Sequence, residues 1–160
     1  MARKRRTAEE VDRILDQPDL AVSGSYGWEV KANTRWAGIE IPVRGLAVAG
    51  SVLRLVVSIN LIDSSRRNYL LLLDDERIRA LCINGSHENR RCGTGSWRGQ
   101  THKHRWTTEC RDRYAYTPVD ITADTHQGEL EQFCKECHIE CRVTLAPIPA
   151  VLGELFDDDV

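Results

Sequence analysis

"VLRLVVSINLI", residues 52–62, decides the fold. Leu53, Leu55, Val57, Ile59 and Leu61 fall on one face of an extended chain, while Arg54, Ser58 and Asn60 fall mostly on the other. A period of two held over this length predicts a strand with one buried face. The segments around it share the rhythm. "YGWEVKA" (26–32) and "WAGIEIPV" (36–43) read as strands before it, with turns near Asn33–Thr34 and at "AVAGS" (47–51). After it, "SSRRN" (64–68) reads as a turn. "YLLLLD" (69–74) is apolar on both faces, as a central strand is. "RIRALCIN" (77–84) and "HKHRW" (102–106) continue the meander, "RDRYAYTPVD" (111–120) reads as a polar connection, and "RVTLAPIP" (142–149) as a closing edge strand ended by its prolines.

Two helices flank these strands. Thr7 and Glu10 have capping-box spacing ahead of an apolar stripe at Val11, Ile14 and Leu15, and Pro18 stops the helix. Near the other end Leu130, Phe133, Cys134, Cys137 and Cys141 recur at helical spacing. The expected fold class is α+β: a largely antiparallel sheet meander with an N-terminal and a C-terminal helix. The expected organisation is a basic tail over 1–6, a single domain over 7–150 and an acidic tail over 151–160. A chain of 160 residues is long enough to build one core without staples.

Composition excludes several classes. The hydrophobic share of 41% and charged share of 29% are those of an ordinary globular protein. The longest apolar run is strand-sized, so no membrane partner is expected. "MARKRR" is followed by "TAEEVDRIL" where a signal peptide needs an apolar core, so the expected compartment is the cytoplasm. A net charge of -2 provides no global field for nucleic acid. Charge is nevertheless concentrated locally. Between His87 and Arg113 lie Arg90, Arg91, Arg98, Lys103, Arg105, Arg111 and Arg113 against only Glu88, Glu109 and Asp112. That excess of about four cations attracts phosphate even on a neutral protein.

Six cysteines (82, 92, 110, 134, 137 and 141) raise the question of zinc. Structural zinc usually takes paired ligands from two knuckles, and only one C-x-x-C is present, at Cys134 and Cys137. Those two lie on the stripe of the expected helix, and Cys82 lies within a strand pattern. Buried structural thiols are therefore expected. A disulfide framework is not expected in a cytosolic chain of this size.

The histidines are concentrated in one stretch, "HENRRCGTGSWRGQTHKHRW" (87–106), which holds three of the five. His102 and His104 are one residue apart, so on a strand they share a face, about 6.6 Å apart along the chain, with Lys103 pointing the other way. Two such imidazoles can divide acid and base duties or ligate a metal. Gly93, Gly95 and Gly99 let backbone amides approach an anion, and the arginines around them supply charge. Two readings stay open: a functional anion-binding loop, or a long exposed hairpin with Trp97 packed beneath it.

The order "LLLLD" (70–74), "NGSHEN" (84–89), a Gly-rich loop, "HKHRW", "DRYAY" (112–116) and "LEQFCKECHI" (130–139), with "TAEEVDRIL" (7–15) ahead of them, resembles a family of small bacterial proteins that share a domain of unknown function. The family pattern of His-x-Asn, Gly-x-His-x-His and Asp-Arg-aromatic-Ala points here to His87, Asn89, His102, His104, Asp112 and Arg113. The chain departs from it at Arg90, where the pattern has proline, at Gln100–Thr101, where it has glycine, and in "DERIRALCI" (75–83), which separates Leu-Asp from His-x-Asn. A weaker analogy runs to toxin nucleases of toxin–antitoxin pairs, which also carry an H-x-H after a Gly-rich loop.

Two functions follow as expectations. The first is a small phosphodiesterase or RNase of toxin or anti-phage defence type. In it His87, His102 and His104 share general acid–base catalysis without metal or other cofactor, since no paired carboxylates stand by the loop beyond Glu109 and Asp112. Arg98, Lys103 and Arg105 stabilise charge on phosphorus, Trp106 and Tyr114 stack a base, and Asn89 and Arg113 join them through the family pattern. The partner is then RNA or another phosphodiester, with a cognate antitoxin or defence-system protein beside it. The alternative is a non-catalytic binding module, in one variant holding zinc structurally through His87, His102, His104 and one cysteine. An enzyme places its histidines around an open pocket; a metal-held module closes them in. No feature of the sequence sets an oligomeric state.

Overall fold

A computed structural model describes residues 5–32, 35–47, 50–85, 88–89, 95–96 and 99–149. Helix α1 spans Ala8–Leu15 and is capped as its sequence requires: the Thr7 hydroxyl accepts from the Glu10 amide, and the Glu10 carboxylate accepts from the Thr7 amide. The strands that follow are β1 (Ala21–Tyr26), β2 (Glu29–Val30), β3 (Trp36–Pro42), β4 (Leu53–Asn60), β5 (Arg67–Leu73), β6 (Glu76–Gly85), β7 (Glu88–Asn89), β8 (Gly95–Ser96), β9 (Gln100–Thr107) and β10 (Arg111–Tyr116). Helix α2 (His126–Glu136) and strand β11 (Glu140–Leu145) complete the order. The expected α+β class is what the chain adopts. A seven-stranded antiparallel sheet runs β10-β9-β6-β5-β4-β3-β2, with the apolar β5 at its centre.

Alternation builds the core. Leu53, Leu55, Val57 and Ile59 of β4 stand opposite Leu73, Leu71, Tyr69 and Arg67 of β5, and this face is buried. Against it pack Val11, Ile14 and Leu15 of α1 and Leu130, Phe133 and Cys134 of α2. The β5–β6 hairpin turns on Asp74 and Asp75, both at positive φ, the left-handed pair that a tight hairpin between right-twisted strands requires. Asp74 then accepts from the Val52 amide, the Ser51 hydroxyl and the Arg6 guanidinium. Arg6, at the end of the basic N-terminal stretch, is thus docked on the domain.

Several elements differ from expectation. "RDRYAY" is strand β10, an edge strand with only Ala115 buried, which is why its sequence carries no apolar face. The segment before Gly27 contains β1, which pairs in parallel with β11 in a separate two-stranded sheet, so the last strand closes on the first and not on the meander. Of "YGWEVKA" only Glu29–Val30 is strand beyond the end of β1. α2 ends at Glu136, and Cys141 lies on β11. Cys110 is disulfide-bonded, with its partner outside the described residues, while Cys82, Cys134, Cys137 and Cys141 are free thiols. The sequence reading, which expected no disulfide framework, did not anticipate the bond at Cys110, since spacing along the chain says nothing of which loops meet. The acidic stretch 151–160 lies outside the described residues. Among the described residues no helix is long and apolar enough to cross a membrane.

Candidate metal centre

β9 lies between β6 and β10, and its register sets the site. His102 stands directly opposite Cys82 of β6, and His104 opposite Ala80 on one side and Ala115 on the other. Lys103, between the histidines, reaches Glu136 of α2, so it points to the helix side. The two imidazoles and the Cys82 thiol therefore share the opposite face of the sheet, as the H-x-H spacing predicts for the histidine pair. Their rings lie edge to face with centroids 5.0 Å apart.

All three side chains are buried: His102 is 0%, His104 1% and Cys82 3% exposed. One ligand atom from each lies within 4.8 Å of the other two. Gly85 closes one side. A Cβ placed on it would meet Cys82 Cβ and His102 Cε1 at 3.1 Å each, so the backbone passes the site at a distance that only a hydrogen fits without adjustment. The site tunes its own donors. His102 Nδ1 lies 2.9 Å from the Gln100 carbonyl oxygen, which only accepts, so Nδ1 carries a proton and Nε2 is the nitrogen that could serve as a ligand. A backbone carbonyl that fixes the tautomer in this way is the usual support of a metal-ligating imidazole. Burial pushes the Cys82 thiol up to about 11, with Arg77 pulling weakly the other way. A thiol and two imidazoles in one buried cluster form a nitrogen–sulfur donor set of the kind that borderline-soft ions take.

The other residues singled out in the sequence are dispersed. Lys103 is buried, its ammonium 2.7 Å from both Asp120 oxygens and 2.6 Å from Glu136, so its charge is already matched inside the protein. Trp106 belongs to the core and donates its indole N–H to the Arg6 carbonyl at 3.2 Å. Arg105 and Tyr114 do come together. They are cross-strand partners, and the exposed guanidinium lies 4.8 Å from the Tyr114 ring centre and 5.8 Å from that of Tyr116. Arg113 is exposed on the same edge strand, and its neighbour Asp112 is paired with Arg77 at 3.2 Å. His87 and Arg98 lie outside the described residues, as does the Asn89 side chain, although Asn89 itself is part of β7. A concave region of about 480 Å³ lies elsewhere, lined by Tyr26, Glu29, Lys31, Glu40 and Val56 among others, and neither histidine borders it.

Sequence reasoning missed Cys82 as a site residue, treating it as a small hydrophobe in a strand. Nothing within β6 distinguishes it; only the β6–β9 register, which sets it across from His102, gives it a role. Comparison of the chain with known protein families, with curated proteins and with solved structures gives no match.

Proposed function

We propose that this protein is a non-catalytic nucleic-acid-binding module whose sheet is locked by a zinc ion on Cys82, His102 and His104. The observation that carries this reading is the burial of both imidazoles beside a buried thiol, with their ligand atoms within 4.8 Å of one another. A general acid–base pair has to meet the phosphodiester it cleaves, and histidines at 0% and 1% exposure face no solvent-filled cleft. The same burial suits a structural ion, which wants its ligands dry and fixed. Zinc accepts thiolate and imidazole together, and these three donors fill three of its four tetrahedral positions.

The ligand surface in this reading is the β9–β10 edge. Arg105 lies exposed over Tyr114 and Tyr116, a cation on an aromatic ladder, and β10 also carries Arg111 and Arg113, both exposed. Such a surface suits a single-stranded RNA, whose bases stack on rings while its phosphates meet guanidinium groups. A labelled single-stranded RNA should bind without being cut, and less tightly as salt rises. Arg105→Ala and Tyr114→Ala should each weaken binding roughly tenfold, the size of one stacking contact of about 1–3 kcal/mol. Fluorescence anisotropy and gel analysis of the same samples read both quantities. Cleavage that vanishes in His102→Ala and His104→Ala, with the fold intact, would restore the phosphodiesterase reading. Absence of both binding and cleavage would move the protein to the partner-binding class.

A further inference from the structure

The turn between β9 and β10 borders a concavity of about 350 Å³, lined by Arg5, Glu109, Cys110, Arg111, Asp112 and Arg113. Its walls are fixed from two directions. The Cys110 amide donates to the Thr107 hydroxyl at 3.0 Å and the Arg113 amide to the Cys110 carbonyl at 3.1 Å, so the turn is held by its own bonds. Arg111, paired across the hairpin with Thr107, has φ 54°, a backbone state that residues with a side chain seldom adopt. Arg5 arrives from the far end of the chain, on a segment that is docked. The Arg6 carbonyl accepts from the Trp106 indole, the Arg6 guanidinium meets Asp74 at 2.7 Å, and the Ala8 amide donates to the Thr108 hydroxyl at 3.0 Å. Arg5 itself donates to the Glu109 carbonyl at 2.7 Å, one bond from a guanidinium that carries five N–H groups.

The charges around this concavity do not balance. Asp112 is already paired: Arg77 reaches its carboxylate at 3.2 Å and its carbonyl at 3.1 Å. Glu109 then stands against Arg5, Arg111 and Arg113, all three exposed, which leaves two positive charges in excess. We propose that the concavity is a binding site for a phosphate monoester, the terminal phosphate of a single-stranded RNA. A monoester carries about two negative charges at neutral pH and three strong acceptor oxygens, which matches that excess. An internal diester carries only one charge and blocks a second oxygen. Guanidinium groups meet phosphate oxygens in pairs, so arginine is the side chain this recognition asks for. Arg113 is also the immediate neighbour of Tyr114 along β10, so the site for the strand's end and the site for its bases lie on one strand. The choice of RNA rests on the nucleic-acid reading above; the phosphate site itself rests on the arginines alone.

The test titrates the full chain and follows its amide shifts by NMR. The probes are uridine 5′-monophosphate, uridine, and one single-stranded RNA with and without a terminal phosphate. The nucleotide is expected to bind weakly, at roughly millimolar strength for a few charge-assisted bonds at an exposed site, and to shift the amides of Glu109–Arg113. Uridine should not. Its affinity should fall as pH drops through about 6, where the monoester takes up a proton. A terminal phosphate should tighten RNA binding about tenfold. Arg5→Gln with Arg111→Gln should abolish that gain and the nucleotide's shifts, with the thermal midpoint unchanged, since both side chains are exposed. The phosphate site is overturned if nucleotide and nucleoside behave alike, or if the double variant binds the nucleotide as the wild type does, whether or not RNA binds. Nucleotide binding with RNA indifferent to its terminal phosphate would give the site to a small phosphate ester and overturn the RNA end. RNA that binds in no form, while the nucleotide still shifts Glu109–Arg113, sinks the nucleic-acid reading and keeps the phosphate site.

Discussion

Stripping the metal with a chelator is expected to lower the thermal midpoint of the purified protein by roughly 8–16 °C. A ligand that binds only the folded state stabilises it by about 4 kcal/mol when present a thousandfold above its dissociation constant. For a chain of this size each kcal/mol moves the midpoint by about 2–4 °C. The effect should be this large because the three donors come from two paired strands. Cys82 lies on β6, and His102 and His104 lie on β9, so an ion held by them would crosslink a strand pair that no disulfide among the described residues joins. Cys82→Ala and His102→Ala should each reproduce the loss, and a chelator should then cause no further shift. Scanning calorimetry with and without chelator checks this. A wild-type midpoint that chelation leaves unmoved would mean that no metal contributes to the fold.

Glu129→Ala is the second change of large effect, with an expected cost of about 3–5 kcal/mol read from urea unfolding. Glu129 points from α2 into the domain, 1% exposed. It accepts from both Nε and Nη2 of Arg67 and from the Tyr69 hydroxyl, which is itself within 3.0 Å of the His126 carbonyl. Removing the carboxylate leaves the Arg67 guanidinium buried at the start of β5 without its counter-charge, and that penalty exceeds the worth of the pair itself. Tyr69 stays a neutral donor there, since burial first and the Glu129 charge second push its ionisation well above the ordinary phenol range. Glu129→Gln should cost less, because an amide of the same shape still accepts from Tyr69. An alanine variant as stable as wild type would remove this network from the account of how α2 is anchored.

What the sequence made legible follows from how local each signal is. The alternation in β4 and the doubly apolar β5 are properties of single strands, and both strands stand where the pattern requires. The capping box at Thr7 is equally local, and it forms. β10 was not legible because an edge strand needs no apolar face, and its Arg-Asp-Arg-Tyr run resembles a loop. Cys141 continued the helical spacing of Leu130, Phe133 and Cys134 by coincidence. The helix stops at Cys137, and His138 turns to φ 57°, a backbone state that ends helices whatever the spacing beyond it. β1 has one buried side chain, Val22, and its partner β11 is nearly the whole chain away, so neither strand announces the pairing.

The same distinction runs through the site. That His102 and His104 share a face was readable from their spacing, and they do. That Cys82 joins them is a matter of register between strands, and that all three are buried is a matter of packing, neither of which a single strand encodes. Lys103 shows the point most sharply. Read along β9 it is a cation beside two histidines, but its ammonium is matched by Asp120 and Glu136, residues 17 and 33 positions further on. Arg105 and Tyr114 were each readable as ligand-binding types, and their cross-strand pairing is what unites them.

The most direct test of the central claim is X-ray absorption at the zinc edge on the purified full-length protein, with zinc counted per chain. The account predicts one zinc whose shell contains one sulfur at about 2.3 Å and two imidazole nitrogens at about 2.0–2.1 Å, with the sulfur lost in Cys82→Ala. A chain that carries no zinc, or a zinc with an all-sulfur shell that Cys82→Ala and His102→Ala leave unchanged, would contradict it.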